Sequence, residues 1–207
     1  MTGKVDLKKT LDAYRATRNV FRVVDVPDLR YLMLDGHGDP NTEVFATSIE
    51  TLFPVAYALK FASKNDLGRD YVVPPLEALW TADSMDAFTA SRDKSQWDWT
   101  LMIMVPDWVD DDMIAAAITK ITDRGVAARI SEVRCETLAE GHCVQTLHVG
   151  SFDDEGPLLE RMHHEFIPQH GLTMTGRHHE IYLSDFRRTV PEKLKTILRQ
   201  PVRAATS

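Results

Sequence analysis

The spacing of apolar residues predicts alternating strands and helices in the first half of the chain. Residues 29–40, LRYLMLDGHGDP, form an apolar run that stops at strong turn formers, which predicts a strand and a turn. Apolar positions then recur with helical spacing over residues 42–63. Residues 70–80 mix β-formers with two prolines, which favours a broken or edge strand. A polar loop over 81–96 leads to a regular strand over 97–105.

The second half repeats this order of elements. A helix with an acidic first turn is predicted over residues 109–124. Residues 128–150 contain two strand-like stretches around the turn AEG, and an apolar stripe predicts a helix over 153–171. A strand over 177–184 follows, and residues 189–203 begin like a helix and predict a terminal one. Strand, helix and strands occur twice, which indicates an α+β fold of two related halves that share a curved sheet.

Alternation along the strand over 177–184 separates two faces. Three side chains lie on each face, namely His178, Glu180 and Tyr182 on one and His179, Ile181 and Leu183 on the other. The apolar pair marks the core face, so Glu180 and Tyr182 point away from it, into either a pocket or open solvent. Both interpretations stand, because antiparallel sheets often leave one face in water.

Aromatic residues of the first half are candidates for the wall of a ligand cleft. They are Tyr57, Trp80, Trp97 and Trp99. Trp97 and Trp99 share a strand face with apolar residues, which favours the core for part of this set. Two repeated halves meet at a seam, and such seams are favoured ligand sites because each half supplies a concave wall. One glutamate in an aromatic cleft at that seam is a plausible pocket floor.

Composition narrows the class of function. The chain has 207 residues and a net charge of −7, which disfavours nucleic acid and anionic membranes as partners. Two cysteines do not make a disulfide framework, and the charged N-terminus has no apolar signal region. No run of eighteen apolar residues occurs. We therefore expect a cytoplasmic protein, a monomer or homodimer, that neither spans a membrane nor binds nucleic acid.

Metal and cofactor motifs give no support for a second kind of site. HHE occurs at residues 163–165 and again at 178–180. The helical copy lacks the i, i+4 histidine pair of a zinc helix, and the strand copy aims neighbouring histidines at opposite faces. Phosphate-binding glycine patterns and the G-x-S-x-G nucleophile motif do not occur in the sequence. The sequence therefore predicts no metal and no cofactor.

Four stretches of the chain resemble stand-alone members of the GyrI-like small-molecule-binding family. They are LFPVAYALKF, VVPPLEALW, CVQTLHVGSFDDE and GRHHEIYLSDFRRTVPEKLKTILRQPV, and the likeness runs from about residue 18 to 203. The resemblance implies two strand-helix-strand-strand units that form one concave antiparallel sheet with helices on one side. Residues 1–20 would then be a tether or short helix, and 21–207 a single domain with half-repeats of about 21–106 and 107–207.

The same resemblance implies a site and a function. Relatives hold cationic planar drugs against a glutamate that corresponds to Glu180, and some stand-alone members hydrolyse cyclopropane-bearing DNA-alkylating compounds. The implied catalytic residues are Glu180 and Tyr182, and the implied ligand-binding residues are Tyr57, Trp80, Trp97, Trp99, Glu180 and Tyr182. Three functions remain open at this point: a cyclopropanoid hydrolase that detoxifies, a module that sequesters or senses drugs without turnover, and a protein-interaction domain.

Overall fold

The structure is a computed structural model that describes residues 3–81 and 94–205. Most of the predicted polar loop over 81–96 lies outside the described residues. The helices are α1 (Leu7–Thr10), α2 (Glu43–Asp66), α3 (Asp111–Arg124), α4 (Gly156–Glu160) and α5 (Ile167–Gln169). The strands are β1 (Arg22–Val26), β2 (Leu29–His37), β3 (Leu76–Thr81), β4 (Asp98–Val105), β5 (Arg134–Leu138), β6 (Gly141–Val149), β7 (Leu172–Met174), β8 (His178–Tyr182) and β9 (Lys195–Ala204).

The strands form one antiparallel sheet built from two similar units. Its order is β1-β6-β9-β8-β3-β4-β2-β5, and β7 pairs with the end of β9. The first unit is β2-α2-β3-β4 and the second is β6-α4-β8-β9, so each is a strand-helix-strand-strand repeat. The units meet where β3 pairs with β8, with Ala78 opposite Glu180 and Trp80 opposite His178. The predicted α+β fold of two repeated units is confirmed. The domain boundaries stay a prediction.

The long helices cover one face of the sheet, as expected. α2 and α3 pack on a core that includes Leu34, Ala78 and Leu101, and α4 and α5 pack beside Val144 and Leu198 of the same face. The other face buries a separate cluster around Tyr31, Leu79 and Ile181. The N-terminal segment contributes Tyr14 to that second cluster, so it lies against the sheet on the side opposite the long helices.

Helix α2 is the main core helix. It is apolar and long enough by length and composition to cross a membrane, but half of its most apolar window is buried inside the protein, the pattern of a core helix. Helix α3 starts two residues later than predicted. The Asp110 side chain caps it by accepting from the Met113 backbone N–H at 2.9 Å, and it ends at Gly125 in a left-handed conformation (φ 60°).

Two strand predictions are corrected by the structure. The stretch over 70–80 is broken, since β3 begins only at Leu76, but it is not an edge strand, because β3 is hydrogen-bonded to β4 and to β8. Pro74 and Pro75 precede its first residue, where neither removes a bond from the ladder. Strand β1, over the sequence RVVDV, pairs with β6 and was not predicted at all.

The predicted terminal helix over 189–203 is wrong. Only a single 3-10 turn forms, Pro191–Lys193, and the chain continues as β9 between β6 and β8. This strand is buried on both faces from Thr196 to Val202, so its apolar residues do not alternate. The strand also buries the polar residues Thr196, Arg199 and Gln200, which leaves its apolar residues in the pairs 197–198 and 201–202, a spacing that fits a helix stripe.

Candidate functional site

A cavity of about 170 Å³ lies on the helical face of the sheet, at the seam between β3 and β8. Both units supply its walls, as the seam argument predicted. Among the described residues, six aromatic rings line it, and they belong to Phe45, Trp80, Trp97, Phe152, Tyr182 and Phe186. We call this cavity, with Glu180 at its floor, the aromatic cleft.

Glu180 is fixed in the aromatic cleft by a chain of hydrogen bonds. Its side chain is 13% exposed, and its Oε2 accepts a hydrogen bond of 2.8 Å from the Tyr182 hydroxyl. Trp80 Nε1 donates in turn to the Tyr182 oxygen at 3.3 Å. Burial raises the pKa of Tyr182 well above its ordinary value, and the Glu180 charge raises it further. The phenol therefore stays protonated and donates a hydrogen bond to the carboxylate.

The rings of the cleft present both faces and edges. Trp80 stacks nearly parallel on Phe45 at 6.0 Å and meets the Trp97 ring edge to face at 5.4 Å. At the rim, Lys94 Nζ lies 5.9 Å from the centroid of the Trp97 ring. Aromatic faces attract cations, and a carboxylate among them adds a charge partner. The aromatic cleft is therefore suited to a flat aromatic molecule, with or without positive charge.

Two histidines of the cleft wall were missed by the sequence analysis. His178 precedes Glu180 on the same face of β8, and His163 comes from the π-helical turn Arg161–Phe166 that joins α4 to α5. A π-helical turn is rare and is often found at functional sites, because it displaces one side chain from the regular helical stripe. Strand alternation puts His178 on the face of Glu180, and the repeated HHE motif is the sequence signal that includes His163.

Both histidines are buried in the wall without hydrogen-bond partners among the described residues. His163 is 4% and His178 7% exposed, and none of their four ring nitrogens has a hydrogen bond within the described part of the chain. His178 Nε2 lies 3.6 Å from Glu180 Oε1, which is too long for a hydrogen bond. Burial, together with the neighbouring His178 and His164, lowers the pKa of His163 to about 3. His163 is therefore neutral at pH 7.

The remaining predicted residues lie elsewhere. Tyr57 is exposed on α2, in a second groove that shares Tyr182 and Phe186 with the aromatic cleft. Trp99 is buried in the core, where its ring packs against Gly36 so closely that no side chain fits there. The structure thus brings Trp80, Trp97, Glu180 and Tyr182 together in the aromatic cleft, and neither Tyr57 nor Trp99 lines it.

The opposite face of β8 holds a buried network of charges. His179 lies between two carboxylates, with Nε2 2.9 Å from Glu77 Oε2 and Nδ1 3.0 Å from Glu140 Oε1. Arg199 Nη1 donates to Glu140 Oε2 at 2.9 Å. Burial by itself would lower the pKa of His179, but Glu140 and Glu77 raise it above its ordinary value. Both ring nitrogens face carboxylates, so the ring is a cation in this position.

The charge network also fastens the N-terminal segment to the sheet. The Tyr14 hydroxyl donates a hydrogen bond to Glu77, and Arg199 Nη2 donates to the Ala13 carbonyl oxygen at 2.6 Å.

Within the described residues, no group of three histidine, cysteine or acidic side chains is arranged to hold a metal ion. The prediction of no metal and no cofactor stays a prediction.

Comparison with known proteins identifies the family. The model of the GyrI-like small molecule binding domain matches residues 20–203. A solved structure of an uncharacterized conserved protein from Listeria innocua is 36% identical, with a TM-score of 0.87 over 97% of this chain and 100% of its own. Two solved hydrolases from Listeria innocua are 35% and 33% identical, with TM-scores of 0.83 and 0.85 over the same shares of both chains.

More distant structures share the fold alone. The C-terminal domain of EcmrR is 10% identical, with a TM-score of 0.55 over 90% of this chain and 98% of that domain. No curated protein sequence matches the chain significantly. The family match covers nearly the whole chain and agrees with the two repeated units described above. The chain therefore belongs to the GyrI-like small molecule binding domain family.

Proposed function

We propose that the aromatic cleft binds amphipathic aromatic molecules, cationic ones included, and hydrolyses those that carry a cyclopropane conjugated to a carbonyl. The observation that carries this proposal is the carboxylate of Glu180, held by Tyr182 at the floor of an aromatic cavity. The two hydrolases from Listeria innocua, with 35% and 33% identity over nearly the whole chain, support the hydrolytic part.

Binding follows from the contents of the cleft. Tyr182 occupies Oε2 of Glu180, which leaves Oε1 for a ligand or a water molecule. A cation that leaves water for this site gains a charge partner and aromatic faces at once. The cavity, about 170 Å³, is smaller than the 300–1,000 Å³ common for ligand sites, so it takes one fused ring system with the rest of the molecule at the mouth.

Hydrolysis needs one base and a strained substrate. Glu180 Oε1 takes a proton from water as the water oxygen attacks the methylene carbon of the cyclopropane. The carbon–carbon bond to the conjugated ring breaks, and its electron pair moves to the carbonyl oxygen, which takes up a proton from solvent. The product is the water adduct of the substrate, and Glu180 returns its proton to solvent. Tyr182 acts here as a positioning residue, because its hydroxyl proton is already engaged in the hydrogen bond to Glu180.

The test measures turnover of a cyclopropane-bearing alkylator by wild type and by Glu180→Gln. General base catalysis contributes about 10²- to 10⁴-fold, so we expect a rate at least about 100-fold lower in the variant. Glu192→Gln changes an exposed glutamate of the turn before β9 that does not line the cleft, and it serves as the matched control with the wild-type rate. Equal rates of ring opening in wild type and Glu180→Gln would show that Glu180 does not act as the base.

A module that binds without turnover is the second candidate. The pairing of Glu180 with Trp80, Trp97 and Tyr182 is sufficient for binding a cationic ring and requires no chemistry. Counting product against protein separates the two functions. More than one equivalent of ring-opened product supports the hydrolase, and tight binding with unchanged substrate supports the module.

A further inference from the structure

The two buried histidines of the aromatic cleft need an explanation that the proposed function does not provide. His163 and His178 lie with ring centroids 6.1 Å apart and rings nearly perpendicular, on the same cavity wall as Glu180. A buried ring nitrogen without a hydrogen bond costs about 1–3 kcal/mol, so a folded protein seldom keeps such groups without use. Four of them converge here.

We propose that His163 and His178 form a second recognition point in the aromatic cleft, which binds an uncharged group of the ligand that has both a hydrogen-bond donor and an acceptor. A neutral imidazole has one donor and one acceptor nitrogen, so the pair offers complementary atoms to a carboxamide or a similar group. Glu180 and Tyr182 are already bonded to each other and leave the phenol proton unavailable for this purpose.

The positions of His163 and His178 determine where the neutral polar group of the ligand lies. His178 and Glu180 are two residues apart on one strand face, which separates their Cα atoms by about 7 Å. His163 reaches the same wall from the opposite element, the π-helical turn. The preferred ligand therefore carries its neutral polar group on the same ring system as, and a few ångströms from, the part that meets Glu180. This deepens the proposed binding function and rests on it.

The test compares ligands that differ only in the neutral group. The charged series is 1-methylquinolinium and its 5-, 6- and 7-carboxamides, so that three positions of the amide are sampled. The uncharged series is naphthalene with 1- and 2-naphthamide, which keeps the test independent of Glu180. Affinities are measured by quenching of tryptophan fluorescence, since Trp80 and Trp97 line the cavity, and by calorimetry.

Wild type should bind at least one carboxamide in either series about 10-fold more tightly than its parent, because each net hydrogen bond contributes about 2- to 10-fold. His163→Phe and His178→Phe each keep a planar ring without nitrogens, and each should reduce that preference, measured as the ratio of carboxamide to parent affinity in the same variant, to about twofold or less. His163→Asn restores a donor and an acceptor and should recover part of the preference.

A measurement of folding separates recognition from structural support. Replacing a buried unpartnered group by an apolar one of similar shape is neutral or stabilising, so both phenylalanine variants should melt at or above the wild-type temperature. The inference is overturned if wild type prefers no carboxamide in either series, if the preference survives both variants, or if both variants melt well below wild type. A naphthamide preference without binding of quinolinium ions would refute the proposed cation binding and leave the histidine site standing.

Discussion

Removal of the Glu140 charge tests the network beneath the cleft. Burial by itself would raise the pKa of Glu140, but the charges and hydrogen bonds of His179 and Arg199 lower it from 4.5 to about 2. Each pKa unit is worth about 1.4 kcal/mol, so the carboxylate contributes about 3 kcal/mol to the free energy of unfolding. Glu140→Gln keeps the shape of the side chain and should lose about this amount at pH 6, where the carboxylate is ionised in both states.

The sign of the pH dependence follows from the lowered pKa. A depressed pKa means that the contribution of Glu140 is complete above pH 4.5 and is lost as the pH falls toward 2. The difference between wild type and Glu140→Gln should therefore narrow below pH 4.5. His179 behaves in the opposite sense: its raised pKa gives a contribution that is complete below its ordinary pKa and is lost as the pH rises through the folded-state value.

Urea unfolding followed by tryptophan fluorescence between pH 8 and pH 4 measures both effects. Glu136→Gln is the matched control, because Glu136 is 55% exposed and its ion pair with Arg134 at 3.1 Å is open to solvent. Such pairs contribute about 0–1 kcal/mol. A loss below 1 kcal/mol for Glu140→Gln at pH 6, or a loss that stays constant as the pH falls to 4, would refute the reasoning.

Two further substitutions test the placement of aromatic residues. In Gly36→Ala the new Cβ would lie 2.0 Å from Cη2 of the Trp99 ring, so thermal unfolding should show a loss of about 1–3 kcal/mol or more. An unchanged melting temperature would contradict that packing. Tyr57→Ala should leave the affinity for 1-methylquinolinium within about twofold, whereas Trp97→Ala should weaken it about fivefold, in the range of one cation–π contact. Equal losses in the two titrations would place Tyr57 in the site.

Local periodicity predicted the repeated fold and the two faces of β8, but it left open whether Glu180 and Tyr182 face a pocket or solvent. Alternation along β8 alone separated Glu180 and Tyr182 from His179 and Ile181, and the structure has the same faces. The prediction for β9 failed because a strand that is buried on both faces has no alternation of apolar and polar residues to detect.

The rest of the site depends on positions that one sequence does not reveal. His163 enters the cleft through a π-helical turn, which has no pattern of apolar residues to predict it. Alternation predicted one strand face for Trp97 and Trp99, but β4 begins at Asp98, so Trp97 precedes it and lines the cavity, whereas Trp99 is enclosed where β2 approaches closely at Gly36. Tyr57 has the helical spacing of the core residues of α2, but its side chain is exposed.

The two adjacent histidines of β8 connect the charge network to the cleft. A strand of five residues can slip, and a slip by one position would exchange its two faces and put Glu180 into the core. His179 lies between Glu77 and Glu140 in the observed register, and a slip that put Glu180 in its place would bring three carboxylates together. The opposite slip would replace His179 with His178 but would put Glu180 at the apolar position of Ile181. A buried charge without a partner costs about 3–5 kcal/mol. We infer that the charge network and the apolar cluster around Ile181 together fix the register of β8, so His179 holds His178, Glu180 and Tyr182 in the cleft without contacting a ligand.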